Sequence, residues 1–194
     1  MQAASATMNW LSPAIFADGD ADLDLVADVL ADGKSSRLYK SMVYERRIAT
    51  DITAMQQSRE LSGFFQVIAT AAPGHSLGEL EAAMSAELAH VAESGPVTAE
   101  LQKSLAQAEA QFIYRIQTVG GFGGKSDQLN QYNVFVGDPG YFERDLQRYR
   151  EATPDSVAAA AQRFLVRAPR VAVSVVPRGR FDLALPDSTK VVCS

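Results

Sequence analysis

The sequence predicts an α+β fold, in which one antiparallel β-sheet carries helices packed on one face. Strand-like segments occur at the start of the chain, as a hairpin after residue 49 and near residue 170, whereas the region between the hairpin and the last strand is almost entirely helical. The helices therefore form a layer against the sheet and do not alternate with its strands. The 194 residues, of which 47% are hydrophobic, are enough to bury the core of one domain.

The first elements are a strand, two helices and a β-hairpin. The segment ATMNWLSPAIF reads as a strand that ends at Pro13. DADLDLVADVLADG has apolar residues at helical spacing and Gly33 at its end, and SSRLYKSMVYERR continues as a second helix with Leu38 and Met42 facing inward. TDITAMQQSR and GFFQVIATA, joined by ELSG, form the hairpin because the second segment alternates apolar and polar residues.

The rest of the chain is predicted to be helical up to a final strand. A helix from Ser76 to Ala92 is ended by Gly95-Pro96, and a longer helix follows with inward residues from Leu101 to Ile116. GGFGG interrupts the helical region, and KSDQLNQYNVF and YFERDLQRYREA are then predicted as two further helices. Thr153 caps the next helix, in TPDSVAAAAQRFL. RVAVSVVP, with its run of valines, reads as a buried strand. We predict a single domain over residues 1–178 and a linker-like tail over 179–194.

The composition argues against several classes of function. The net charge is −5 and the only basic run is Arg46-Arg47, so the clustered cations of a nucleic-acid-binding surface are missing. No apolar segment approaches the ~20 residues that cross a bilayer, and the start of the chain is not that of a signal peptide. The single Cys193 excludes an internal disulfide. The chain enters a strand almost at once, so we expect a domain of a longer protein, and its cellular compartment stays open.

A serine-hydrolase motif is present but has no usable base. Gly74-His75-Ser76-Leu77-Gly78 matches G-x-S-x-G, which places a nucleophilic serine at a strand-to-helix turn. His75 is adjacent to Ser76, and His90 lies on the same predicted helix, about 21 Å away at 1.5 Å per residue. Neither can act as the base. We interpret Ser76 as a helix cap, with Glu79 completing a capping box.

Two segments resemble the end of the phosphate-binding loop G-x-x-x-x-G-K-[ST]. Gly124-Lys125-Ser126 has Val119 where the leading glycine belongs, and the segment DVLADGKSS has Asp28 there. The first segment also follows a helix, so its amides would not point at a phosphate. We expect a flexible break between two helices at Gly120–Gly124 and no nucleotide site.

A zinc motif is also incomplete. His90 and Glu93 begin the pattern H-x-x-E-H, but its last position is Ser94. With two histidines in the whole chain, a catalytic zinc site with three protein ligands cannot be assembled convincingly. We interpret His90 as an exposed helix residue. Carboxylate pairs for glycoside hydrolysis stay open, although nothing singles out a pair. We therefore assign no catalytic residue and no metal ligand to this chain.

Three stretches together resemble a known family. In order and spacing, LDLVADVLADGKSSRLYKSMVYERRIATDI, GFFQVIATAAPGHSLGELEAAM and VGGFGGKSDQLNQYNVFVGDPGYFERDLQRYREATPDSVAAAAQRFL resemble the second domain of a half-molecule of the pitrilysin/insulinase family of inverzincin zinc metallopeptidases. The resemblance covers about residues 5–178. It implies an antiparallel sheet covered on one side by helices, with two such domains in each half and two halves that close around an unfolded peptide.

The same resemblance implies where the chemistry lies. The zinc ligands and general base belong to the first domain of one half, on an H-x-x-E-H helix plus a distant Glu. In the opposite half of active members, the domain equivalent to this one supplies an Arg and, seven residues later, a Tyr that contact substrate. Val43 and Thr50 stand at those positions. Because neither side chain can replace them, the resemblance favours a domain in the zinc-bearing half, directly after the catalytic domain.

The expected function is that of a non-catalytic domain of a zinc-dependent endopeptidase. It would support the catalytic domain and wall the chamber that holds the peptide substrate, so the expected partners are that domain and unfolded peptide. The cofactor, zinc, belongs to the catalytic domain of the parent protein and not to this chain. The alternative is an inactive structural or assembly subunit with the same fold, as in respiratory-complex core and processing-peptidase partner proteins.

Overall fold

The computed structural model describes residues 3–120 and 122–191, so Gly121 and Cys193, on which predictions were made, lie outside the described residues. The strands of the described part are β1 (Ser5–Ser12), β2 (Ala49–Gln57), β3 (Gly63–Ala71) and β4 (Arg170–Val175). They form one sheet in the order β2-β3-β1-β4, and every neighbouring pair is antiparallel. The α+β class with an antiparallel sheet is confirmed.

Most of the helical structure lies between β3 and β4. The helices are α1 (Asp20–Ala31), α2 (Leu77–Ser94), α3 (Thr98–Gln117), α4 (Lys125–Val136), α5 (Phe142–Arg150) and α6 (Pro154–Ala161). Shorter π-helical segments span Tyr39–Glu45 and Gln162–Val166, and a 3₁₀ turn spans Phe181–Leu183. The predicted second helix is thus a π-helical segment, with Leu38 and Met42 buried as expected.

The core lies between one face of the sheet and the helices. Alternate residues of β1 and β3 are buried, because successive side chains of a strand point to opposite faces. Trp10 and Phe65 face each other across these strands with ring centroids 6.2 Å apart in an edge-to-face arrangement. Helices α1, α2 and α6 bury their apolar stripes in the same core, as shown by Leu25, Met84 and Val157.

Gly95 fixes how closely two helices approach. It ends α2 with φ of +68°, a conformation that L-residues rarely adopt. A Cβ at this position would lie 2.5 Å from the carbonyl oxygen of Pro154, the first residue of α6. The predicted break at Gly95-Pro96 is confirmed, and the glycine is also needed for the contact between α2 and α6.

The prediction of a buried last strand is wrong. Residues 170–175 do form β4, but Val171, Val173 and Val175 are exposed by 64%, 43% and 49%. The register places these valines on the face of the sheet that points away from the helices. Strand β4 is also an edge strand that pairs only with β1 within the described residues, and even Ala172 on its other face is exposed. A valine run indicates a strand without revealing whether both its faces are covered.

The chain after β4 turns back towards the sheet. The backbone N–H of Leu185 donates to Ser174 Oγ at 3.0 Å, and the Leu185 side chain is buried in the core. The division into a domain over residues 1–178 and a linker-like tail over 179–194 stays a prediction.

Candidate functional site: the open face of the sheet and the cavity at its end

The face of the sheet that points away from the core is open. Its residues alternate with the buried ones and are half-buried or exposed on β1, β3 and β4. The register places Val173, Thr7, Ile68 and Thr53 in one row across all four strands. Since β-sheets bind extended chains through such rows and through their edges, this face is a candidate binding surface.

The open face is almost free of charge. By the strand register, Asp51 is its single charged side chain on the four strands, all of which belong to the described part of the chain. Hydroxyl, amide and aliphatic groups make up most of the rest, together with the Phe64 ring and the Met55 thioether. Gln66 Nε2 donates to Asn9 Oδ1 at 2.7 Å, which fixes two amides in the middle of the face. Asn9 Nδ2 donates in turn to the carbonyl oxygen of Val171 at 3.4 Å.

A cavity of about 770 Å³ opens at one end of the sheet. It is lined by the end of β3, the first turn of α2 and the chain that follows β4, with Ala71, His75, Leu77 and Leu183 among its residues. Arg180 and Asp182, paired at 2.8 Å, also line it. Sequence reasoning missed this cavity because it did not bring the residues after β4 against the first turn of α2. The apolar residues of FDLALP were the available signal.

Thr50 and Val43, the two positions named from the resemblance, are placed differently. Thr50 lies at an irregularity of the β2–β3 register, where Ala49 pairs with Ala71 and Asp51 with Thr70. This β-bulge turns Thr50 towards the cavity, which it helps to line. Its Oγ1 donates to the carbonyl oxygen of Thr70 at 3.4 Å. Val43 packs against the core and is not among the residues that line the cavity.

Ser76 is a helix cap, as predicted. Its Oγ accepts from the backbone N–H of Glu79 at 3.2 Å, and Glu79 Oε2 accepts from the backbone N–H of Ser76 at 2.8 Å. This hydrogen bond is the main reason why the pKa of Glu79 is lowered. His75 Nδ1 lies 3.5 Å from the same carboxylate. The reciprocal bonds form a capping box at the start of α2.

The other sequence motifs also have local roles. Gly124 precedes α4, and the predicted interruption between two helices is confirmed, since α3 ends at Gln117. His90 is exposed on α2, as predicted, and its carbonyl oxygen accepts from Ser94 Oγ at 2.9 Å. Among the residues that the structure describes, no group of three or more His, Cys, Asp or Glu side chains is arranged to hold a metal ion.

A buried polar network joins α1 to α5. The guanidinium group of Arg148 donates at 2.9 Å to Asp20 and, through its other nitrogen, at 2.9 Å to Asp145. The Tyr132 hydroxyl donates to Asp145 at 2.8 Å, and the Tyr149 hydroxyl donates to Asp24 at 2.6 Å. Sequence reasoning missed this network. The spacing of Asp20, Asp24 and Asp28 along one helix was the available signal, because four-residue steps share a helix face.

Burial changes the acidity of this network and of Asp28, which lies one turn further along α1. Desolvation raises the pKa of Asp24 to about 7 against the opposing effect of the Tyr149 hydrogen bond, and it raises the pKa of Asp28 to about 6. Burial raises the pKa of Asp145 as well. These carboxylates are enclosed by helices, away from the open face, so we assign them to the stability of the fold.

Solved structures with the same fold come from several organisms. A candidate zinc protease from Bordetella pertussis Tohama I is 24% identical with a TM-score of 0.76, and the match covers 90% of this chain and 94% of that one. The inactive peptidase domain of a candidate zinc protease from Bordetella parapertussis is 23% identical with a TM-score of 0.77, covering 91% and 92%. A protease from Helicobacter pylori is 19% identical with a TM-score of 0.79, covering 91% of this chain and 42% of that one.

These similarities establish the fold, and the chain spans less than half the length of the Helicobacter pylori protease. No curated protein matches this chain. Among the described residues, every helix is too short or too polar to span a lipid bilayer. The family model described as the Peptidase M16 inactive domain matches residues 1–108, more than half of the chain. The resemblance of the sequence to the pitrilysin/insulinase peptidases is therefore confirmed, and the chain belongs to the Peptidase M16 inactive domain family.

Proposed function

We propose that this chain is the non-catalytic domain of a zinc-dependent endopeptidase, that it supports the catalytic domain and that its open sheet face walls the chamber for the peptide substrate. The observation that carries the proposal is the open, nearly uncharged face in a member of an inactive-peptidase-domain family. A surface with hydroxyl, amide and aliphatic groups suits peptides of varied sequence, because it repels neither sign of charge.

The free edge of β4 supports the same role. Its outer side has no strand partner within the described residues, and an extended peptide can pair with such an edge through main-chain hydrogen bonds. The exposed side chains of Val171, Val173 and Val175 then contact alternate residues of the added strand. The backbone supplies affinity, and these valines favour apolar side chains.

The two positions named from the resemblance favour a place in the zinc-bearing half of the parent. Val43 is packed against the core and offers no hydrogen-bond donor, and the Thr50 side chain is too short to replace a phenol. In this proposal zinc and its general base are held by the catalytic domain that precedes this chain. This chain contributes the wall and the support.

A structural or assembly subunit is the second candidate. A chain of complex III from Candida albicans has the same fold, with a TM-score of 0.73 at 14% identity over 90% of this chain. The two candidates differ in the parent protein. A peptidase parent carries H-x-x-E-H in its preceding domain, binds zinc and cleaves peptides, and a purely structural parent does neither.

The test uses the parent protein and peptides of opposite charge. Val173→Lys places a cation on the open face, so it lowers kcat/KM for basic peptides relative to acidic ones by about fivefold, the effect of ~1 kcal/mol between charges a few Å apart. Val173→Asp reverses the preference. Val97→Lys, which adds the same charge at an exposed position before α3, is the matched control. If both Val173 variants keep the wild-type preference between basic and acidic peptides, the open face does not wall the substrate chamber. A parent protein without zinc or peptidase activity supports the structural subunit.

A further inference from the structure

The second half of α3 and the whole of α4 form a helical hairpin, in which α4 contacts the rest of the domain mainly through Tyr132. Every residue from 113 to 120 is exposed, although the helical spacing predicted an inward-facing Ile116. Within the described residues, α4 buries only Gln128 and Tyr132, which are hydrogen-bonded to each other at 2.9 Å. An isolated 12-residue helix is marginal in water, so a helix with so little burial usually gains stability from a neighbour.

This hairpin exposes a concentration of large apolar side chains. We define the hairpin surface as Ile113, Val119, Phe122, Val134 and Phe135. Val119 is exposed by 75%, and Phe122 is completely exposed. Single exposed apolar residues are ordinary, but several on one small element indicate an interaction site.

Phe122 is carried by a hydrogen-bonded turn. The backbone N–H of Lys125 donates to the carbonyl oxygen of Thr118 at 2.7 Å, and Ser126 Oγ donates to that of Val119 at 2.7 Å. Asp127 Oδ2 accepts from the backbone N–H of Gly123 at 2.8 Å. These bonds restrain the backbone next to Phe122, so less backbone freedom is lost when a partner buries this side chain.

A polar cleft lies between the hairpin and the end of β2. Its volume is about 670 Å³, and its lining includes Gln57, Arg59, Arg115, Asp127 and Phe135. Asp127 is already bound to the turn. Among the described residues, neither Arg59 nor Arg115 makes a salt bridge or a side-chain hydrogen bond, so the cleft holds two guanidinium groups without anionic partners. A partner that fits here brings carboxylates beside its apolar residues.

We infer that the hairpin surface and the cleft dock the catalytic domain of the same parent protein, through an apolar segment of that domain flanked by Asp or Glu. This inference rests on the proposed function, which supplies that partner. The length of a relative is consistent with such a partner, because the Helicobacter pylori protease has more than half its length beyond the part that matches this chain. Docking buries Phe122 and pairs Arg59 and Arg115.

The test compares amide hydrogen exchange in the isolated chain and in the intact parent that contains the catalytic domain. Docking slows exchange of the amides in residues 113–120 and 122–136 by at least about tenfold in the parent. Phe122→Ala, or Arg59→Glu with Arg115→Glu, abolishes that protection. Neither variant alters the unfolding temperature of the isolated chain, because these side chains are exposed there. Tyr44→Ala, at an exposed position away from the hairpin, leaves the protection intact.

The outcomes separate this inference from the proposed function. Protection on another surface, with the hairpin unchanged, refutes docking at the hairpin and leaves a supporting domain in place. A parent in which no surface of this domain becomes protected refutes both. Sedimentation of the isolated chain gives the remaining check, since a dimer that Phe122→Ala dissociates assigns the hairpin to self-association and overturns the inference.

Discussion

The guanidinium group of Arg148 lies 2.9 Å from the carboxylate of Asp20, although 128 positions separate the two residues in the sequence. Their side chains are exposed by only 18% and 6%, and Asp20 also accepts from the backbone N–H of Phe16 at 2.9 Å. This ion pair links α5 to the start of α1. The same guanidinium group also pairs with Asp145, so one cation compensates two carboxylates.

Replacing the shared cation leaves two buried carboxylates uncompensated. Arg148→Met therefore lowers the free energy of unfolding by about 3–5 kcal/mol. Urea denaturation followed by circular dichroism measures the loss. Arg163→Met is the control, because Arg163 pairs with Asp18 at 3.3 Å on the exposed surface, where such pairs contribute ~1 kcal/mol or less. Similar losses in both variants would show that the buried ion pair contributes no more to the free energy of unfolding than the exposed one.

Stability is predicted to fall as pH rises from about 4 to 7. The pKa of Asp24 is about 7 in the folded chain and that of Asp28 is about 6, whereas both ionise near 3.8 when unfolded. The folded state therefore binds more protons than the unfolded state in this window, so the free energy of unfolding declines towards neutral pH. Asp24→Asn removes its part of the decline and stabilises the chain at pH 8 by at most ~4 kcal/mol.

Urea denaturation at pH 5 and pH 8 measures this difference for the wild-type chain and the Asp24→Asn variant. Asp18→Asn, which removes an acid whose side chain is 95% exposed, keeps the wild-type slope. An unchanged slope in Asp24→Asn would mean that Asp24 is already ionised in the folded chain at pH 5.

The capping role of Ser76 is open to a direct measurement. Ser76→Ala removes the acceptor for the Glu79 backbone N–H and lowers the free energy of unfolding by about 1 kcal/mol, whereas Ser76→Asp retains most of it. An active-site-directed phosphonate labels neither the wild-type chain nor the variants. Stoichiometric labelling of Ser76 would revive the hydrolase interpretation.

Thr50 gives a prediction for the parent enzyme. If this domain belongs to the zinc-bearing half, Thr50→Ala and Val43→Ala both leave kcat/KM for peptides within about twofold of the parent, since a loss of transition-state contacts would cost more. Substitution of the corresponding Arg or Tyr in the opposite half is the positive control. A tenfold loss in Thr50→Ala would place Thr50 beside the reacting peptide and refute this assignment to a half.

Local chemistry allowed most of the elements to be predicted. Pro13, Gly33 and Gly95 mark ends of elements through their own backbone preferences, and the Ser76 cap depends on a residue three positions away. Such signals are contained in short windows of sequence. The alternation of Phe65, Val67 and Ala69 likewise fixed which face of β3 is buried.

The features that sequence reasoning missed depend on distant parts of the chain. The valines of β4 are exposed because they lie on the face of the sheet that the helices of the described residues do not cover, and nothing within the strand records that. Asp20 is buried because Arg148 comes back to it after 128 residues. Thr50 lines a cavity because of a bulge and because the chain after β4 returns to the sheet. Each of these depends on tertiary packing, which overrides local pattern.

The open edge of β4 also bears on how the isolated chain behaves in concentrated solution. Edge strands commonly avoid adding to other molecules by carrying lysine or proline within the strand, and RVAVSV has neither. Two copies can therefore join edge to edge through backbone hydrogen bonds, and further copies through their valines. Purified on its own, this domain is expected to precipitate as its concentration rises, and a lysine placed in the middle of β4 is the substitution that would keep it soluble.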